Sequence, residues 1–121
     1  MGFDIDRLVR LWNGPLPPGD EAALADFRAV YTDPITLNGA AVAVSELVAM
    51  ARTMHRSHEN AKRTVVDVTE TQDPAGRGKV AFAFLLRARV DGRPVEMRGV
   101  DLLTIADGRI SAVWAAAQPA S

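Results

Sequence analysis

Apolar positions recur with a helical period along the first half of the chain and with a strand period along the second. Ile5, Leu8, Val9 and Trp12 share one face, with Asp6 and Arg10 able to pair outside, which predicts a helix over Asp4–Trp12. Asn13-Gly14-Pro15 stops it, because Gly suits a left-handed cap and Pro cannot continue the ladder. Beyond the stiff Leu16-Pro17-Pro18-Gly19 loop, Asp20 is the expected cap of a second helix reaching about Val30, with Ala23, Leu24, Phe27 and Val30 as its buried stripe. Tyr31-Thr32-Asp33-Pro34 ends that helix, since a residue before proline is pushed out of the helical region. Ile35-Thr36-Leu37 reads as a short strand and Asn38-Gly39 as a turn. A third helix is expected over about Ser45–His58, with Leu47, Val48, Ala51, Met54, His55 and His58 along one stripe.

From Arg63 onward the pattern becomes β-rich: strands are expected over Arg63–Glu70, Ala81–Val90, Val95–Ile105 and Arg109–Ala117. Asp73-Pro74-Ala75-Gly76, Asp91-Gly92 and Asp107-Gly108 separate them with turn chemistry. Helices first and hairpin-linked strands afterwards predict an α+β fold, three N-terminal helices packed on an antiparallel sheet, in one domain spanning 1–121. Residues 118–121 read as a loose tail.

Composition narrows the chemistry. The 121 residues, 48% of them hydrophobic, suffice for one core without staples, and there is no cysteine to form a disulfide, thiolate metal site or thiol nucleophile. Fourteen basic against fifteen acidic residues give a net charge of −1, without the basic excess of a nucleic-acid binder. The acidic start Met1-Gly2-Phe3-Asp4-Ile5-Asp6 differs from a signal peptide, and the uncharged stretch Pro34–Ser45 is far too short to cross a bilayer. The expectation is a cytoplasmic protein that binds neither nucleic acid nor membrane. Gly76-Arg77-Gly78-Lys79 precedes a strand, not a helix, so it reads as a hairpin turn and not a phosphate loop.

Asp101 is the foremost candidate for chemistry. In the Val95–Ile105 strand, Met97, Gly99, Asp101, Leu103 and Ile105 share one face, and Glu96, Arg98, Val100, Leu102 and Thr104 the other. Asp101 is the one ionisable group on the more apolar face, at a mid-strand position aspartate disfavours. Burial there would raise its pKa and suit it to proton transfer, or it could hydrogen-bond a loop or a partner subunit. His55 and His58 lie on one side of the third helix near its end, where they line a pocket mouth or answer the negative helix terminus; no third ligand at convincing spacing predicts a metal. Trp12, Phe27, Tyr31, Met50, Met54, Phe82, Phe84, Met97 and Trp114 could line an apolar cavity or form plain core.

The helix order, the Tyr31-Thr32-Asp33 segment and the run from Val95 through Asp101, Asp107-Gly108 and Ile110 to Trp114 resemble the nuclear transport factor 2-like superfamily. Within it they resemble the SnoaL-like polyketide cyclase and ketosteroid isomerase group. The resemblance implies a cone-shaped α+β barrel with a curved sheet and a pocket, no cofactor, and a homodimer formed through the outer sheet face, where Val100, Leu102 and Leu85 mix with Glu96, Arg98, Arg87 and Arg89. Asp101 matches the cyclases' catalytic aspartate and the isomerases' oxyanion-stabilising acid. Other family positions depart from the pattern. The isomerases' base falls on Asn38 or Gly39 and their tyrosine near Leu8; Asp33, beside Pro34, reads as a turn cap. The acid that epoxide hydrolases of this fold carry after a Trp is missing from Trp114-Ala115-Ala116-Ala117-Gln118. Two readings remain: a cofactor-independent cyclase or isomerase acting through Asp101 on a small, mostly apolar carbonyl compound, and a non-catalytic binding domain of the same fold.

Overall fold

The computed structural model describes residues 2–120, in the order α1 (Ile5–Asn13), α2 (Asp20–Arg28), β1 (Tyr31–Leu37), β2 (Ala40–Val42), α3 (Val44–Ser57), β3 (Glu59–Gln72), β4 (Gly78–Val90), β5 (Arg93–Ala106) and β6 (Arg109–Pro119). Asp4 starts α1 by accepting from Arg7 N at 3.1 Å, and Asp4, not Asp6, pairs with Arg10. Gly19 caps α2 in place of Asp20, which lies inside the helix and accepts from Arg52 Nη2 at 3.4 Å. Asp33 holds the start of α3: Oδ1 accepts from Val44 N at 3.1 Å and Oδ2 from Arg28 Nε at 3.0 Å. These two bonds hold the Asp33 carboxyl below the usual aspartate range, the Val44 contact most strongly.

The six strands form one sheet in the order β2-β1-β6-β5-β4-β3. It is mixed, not antiparallel throughout, because β1 runs parallel to β6. Alternation assigns side chains to faces but carries no information on strand direction or partner. Strand β1 starts at Tyr31, four residues before the expected Ile35, and β2 is an added hairpin arm closed by Asn38-Gly39, both with positive φ. The expected loose tail is also corrected. Gln118 pairs with Arg98, Pro119 with Met97, and Ala120 N donates to Glu96 O at 2.9 Å, because β5 is long enough to offer an edge to the end of the chain. Ser121 lies outside the described residues.

The helices pack on one face of the sheet. Helix α1 rests on β3, α2 on β1, and α3 on both β1 and β3. Phe27, Ile35, Val44, Leu103 and Ile110 fill the core between these layers and are fully buried. Since the helices bear on the flanking strands, room remains above the central ones. No helix among the described residues is long and apolar enough to cross a membrane.

Candidate active site

A cavity of about 220 Å³ occupies that room. Strand pairing sets its floor: Phe82 stands beside Asp101, Asp101 beside Ala115, and Leu103 beside Val113, all on the face toward the helices. Leu8, Val9 and Trp12 of α1, Tyr31 and Ile35 of β1, and Leu47 of α3 close the top. Ala115, Ala116 and Ala117 line it as well and are exposed, so the mouth opens along the end of β6 past small side chains.

Asp101 is the one carboxylate lining this space among the described residues. Burial pushes its pKa up to about 6, against a weaker opposing pull from Arg63, and no hydrogen bond among the described residues stabilises the charge. Arg63, on β3, lines the same cavity. Its guanidinium lies 5.3 Å from the Trp12 ring centre and 5.5 Å from that of Phe84, and its buried Nη1 has no hydrogen-bond partner. Burial lowers the Arg63 pKa while Asp101 and Tyr31 oppose the shift, yet a guanidinium remains charged at neutral pH. Arg63 and Asp101 form no direct ion pair among the described residues.

Asn13, at the end of α1, positions Arg63. Its Oδ1 accepts from Arg63 N at 2.7 Å and its Nδ2 donates to Arg63 O at 3.2 Å. A side-chain amide thereby pairs with the free edge of β3 as a neighbouring strand would. Tyr31 is the third polar group. Its hydroxyl accepts from Trp12 Nε1 at 2.8 Å, which leaves the phenolic proton free to donate. Burial raises the Tyr31 pKa well above that of an ordinary phenol, so it stays protonated.

Of the sequence-derived candidates, the structure brings Asp101, Trp12, Tyr31, Phe82 and Phe84 together at the cavity. His55 is held elsewhere, with Nε2 2.8 Å from Trp12 O, and His58 ends α3 with Nδ1 2.8 Å from Ser57 Oγ. Among the described residues no group of three or more His, Asp or Glu could hold a metal ion. Met54 and Met97 pack against the core and do not line the cavity, Phe27 is core, and Met50 is exposed. Trp114 stands on the opposite face of the sheet beside Leu102, 58% exposed. Arg63 is the residue sequence reading missed, although its alternation with Ala61 and Val65 was a usable signal.

Gly99 shapes the floor by close approach. A Cβ there would overlap the ring of Phe84, its cross-strand partner. Gly99→Ala is expected to displace that ring from under Arg63 and to cost about 1–3 kcal/mol of stability, read by urea denaturation. Unchanged stability would mean that the ring has somewhere else to go.

A larger groove of about 550 Å³ lies between the N-terminal segment and the β3–β4 hairpin. Its polar walls already satisfy one another: Phe3 N donates to Glu70 Oε1 at 2.7 Å and Lys79 Nζ to Thr104 Oγ1 at 2.6 Å. The smaller apolar cavity, with polar groups left unpaired, is the better ligand site.

The profile of a family described as the SnoaL-like domain matches residues 5–113. No curated protein sequence matches the chain. Among solved structures, IdmH of Streptomyces antibioticus, a candidate polyketide cyclase, superposes with a TM-score of 0.73 at 18% identity, over 94% of this chain and 88% of that one. A SnoaL-like polyketide cyclase of Agrobacterium tumefaciens gives 0.71 at 12% identity, over 98% and 93%. A Catenulispora acidiphila protein with a ketosteroid isomerase-like fold, in complex with trimethylamine, gives 0.69 at 14%, over 93% and 82%. At these identities the likeness is one of fold.

Proposed function

From the premise that this chain belongs to the SnoaL-like domain family, we propose that it is a cofactor-independent enzyme of the cyclase or isomerase type, with Asp101 as its general acid-base. The observation that carries the reading is the Asp101 carboxyl, exposed to an apolar cavity without a hydrogen-bond partner among the described residues, its pKa pushed up by burial to about 6. A carboxylate of that basicity is ionised at neutral pH, yet a better base than an exposed aspartate. It takes the proton on the carbon α to a carbonyl; the C–H electron pair becomes the enolate double bond, and the carbonyl π pair moves to oxygen. The proton then returns to a different carbon, or the enolate carbon attacks a second carbonyl, whose π pair moves to its oxygen and takes the proton back from Asp101 as the ring closes.

The substrate class follows from the walls. A cavity of about 220 Å³ lies below the usual 300–1,000 Å³ of ligand pockets. It suits a monocyclic or bicyclic carbonyl compound, or one end of a longer compound emerging at Ala115–Ala117. The direct test is a panel of cyclic ketones, lactones and aromatic polyketide mimics, screened by thermal shift on the wild type and Asp101→Asn, followed by product analysis. Compounds that stabilise both proteins equally, with none converted, would overturn the enzymatic reading.

A second reading has its own observation. The place where a further carboxylate would complete an isomerase site falls on Asn38 or Gly39, and the Asn38 Oδ1 accepts from Ala115 N at 2.8 Å. That bond ties the β1–β2 turn to β6, a structural use, and it favours a binding domain that retains the cavity without catalysis.

We also propose that two copies associate through the outer face of the sheet. Val66, Val100, Leu102 and Trp114 are all exposed there, an apolar patch beside the Arg87–Glu96 ion pair at 2.8 Å and the exposed Arg98. Sedimentation is expected to show a dimer at micromolar concentration and a monomer for Val100→Lys. A wild type that sediments only as monomer would remove this proposal.

A further inference from the structure

The geometry points to Arg63, assisted by Tyr31, as the pair that holds the ligand oxygen on which negative charge develops, and hence to a carbonyl ligand without net charge as the preferred substrate. The inference rests on the reading of Asp101 as base. Its starting point is an anomaly of pairing. Arg63 Nη1 is buried without an acceptor, although unsatisfied buried donors are uncommon and costly. Its neighbours explain why none of the described residues satisfies it: Trp12 and Phe84 offer ring faces, which hold the cation but leave its N–H groups unused. Tyr31 has the matching feature. Its oxygen is occupied by Trp12 Nε1 while its proton remains to be given. Two donors thus reach the cavity that holds Asp101, and among the described residues no acceptor claims either.

Charge balance selects the ligand. With Asp101 ionised, Arg63 and Asp101 together make the cavity neutral. A neutral carbonyl compound leaves it so. When Asp101 takes the α-proton, its negative charge moves to the carbonyl oxygen, where Arg63 is already placed and need not reorganise. A ligand that arrives as an anion adds an unbalanced negative charge in an apolar enclosure, and it is accepted only if Asp101 takes up a proton at the same time. Asp101→Asn fixes that protonated state. The variant should therefore bind anionic-oxygen ligands more tightly than the wild type.

The test uses a nitrophenol as a compact mimic of the enolate, because its anion absorbs at longer wavelength than its neutral form. Titrated into Asp101→Asn, it should bind as the anion, with the red-shifted spectrum, and more tightly than to the wild type. Adding Arg63→Met should weaken binding about 10- to 100-fold and abolish the red shift, the size expected for a charge-assisted hydrogen bond. Tyr31→Phe should weaken it about 2- to 10-fold with the red shift retained. Met keeps an apolar stem between Trp12 and Phe84, so folding is expected to survive. Should the Met variant not fold, Arg63→Lys serves: it should keep the red shift but bind less tightly, since an ammonium has no planar face to lay on the rings. Unchanged affinity and spectrum on replacing Arg63 would overturn the assignment, as would absence of binding in every protein. Exchange of a cyclic ketone's α-hydrogens with deuterated solvent reports on Asp101 separately. Absence of exchange in the wild type, with anion binding intact, would refute the base and not the oxyanion site.

Discussion

Asp101→Asn should lower turnover by about 10²–10⁴-fold, the usual worth of a positioned acid-base group, and at neutral pH should raise thermal stability as well. Both effects come from one environment. The carboxyl sits in an apolar cavity without a hydrogen bond among the described residues, so ionisation is penalised and the folded pKa rises to about 6, from an unfolded value near 4. Below about pH 4 the group is protonated in both states and costs nothing. Between about 4 and 6 the unfolded chain ionises first, so the folded form binds more protons and its stability falls as pH rises. Above about 6 the penalty is complete, and it amounts to ~1–3 kcal/mol. Asparagine cannot ionise, and its advantage over the wild type should grow across that window and then level off. Comparing melting temperatures of the two proteins from pH 4 to 8 isolates this group, because Asp33 and Asp73, whose pKa values are lowered, act oppositely and equally in both. Wild-type kcat/KM should rise with pH through about 6 to a plateau, as a base requires. A stability difference independent of pH would mean that Asp101 is solvated or paired in solution.

The same strand shows which parts of the candidate site are legible in the sequence. Asp101 was legible because β5 alternates cleanly and an aspartate in mid-strand on the apolar face is anomalous. Arg63 was equally accessible to the alternation rule, through Ala61 and Val65, but Lys62-Arg63 reads as ordinary surface charge. Its inward course also depends on an irregular β3–β4 pairing between Glu59 and Lys62 and on the Asn13 clamp, contacts fifty residues apart that no local pattern announces. Trp114 went to the wrong face for a similar reason. Val113 points inward and Trp114, its successor, must point out, so an aromatic next to the cavity-lining run is not itself in the cavity. The histidines were placed by extending the stripe of α3 past Met54, where the helix is already ending and its side chains serve the termini of α1 and α3. The parallel β1–β6 pairing lay beyond reach altogether, because it joins strands more than seventy residues apart and periodicity has no term for direction.

Phe27→Ala should cost ~3–5 kcal/mol, the largest stability effect of any single change considered, and should also disable the cavity it does not line. Phe27 is fully buried on α2, its ring edge-on to Trp12 with centres 5.4 Å apart and stacked against Tyr31 at 6.2 Å. Those two residues carry the Trp12 Nε1 to Tyr31 Oη hydrogen bond and one of the two faces on which Arg63 rests. Removing the ring leaves a void behind both, which the layers cannot fill without moving α1 or β1. Against a typical total of about 5–15 kcal/mol, the loss is a large fraction of what holds the domain together. The melting temperature should fall by ~10–20 °C. Phe27→Leu, which refills most of the volume, should cost less than half as much and keep nitrophenol binding within a few-fold of its parent. If Phe27→Ala instead melted within about 3 °C of the wild type, the Trp12–Tyr31 pair would be supported from elsewhere. The aromatic layer beneath the cavity would then be no part of what positions its donors.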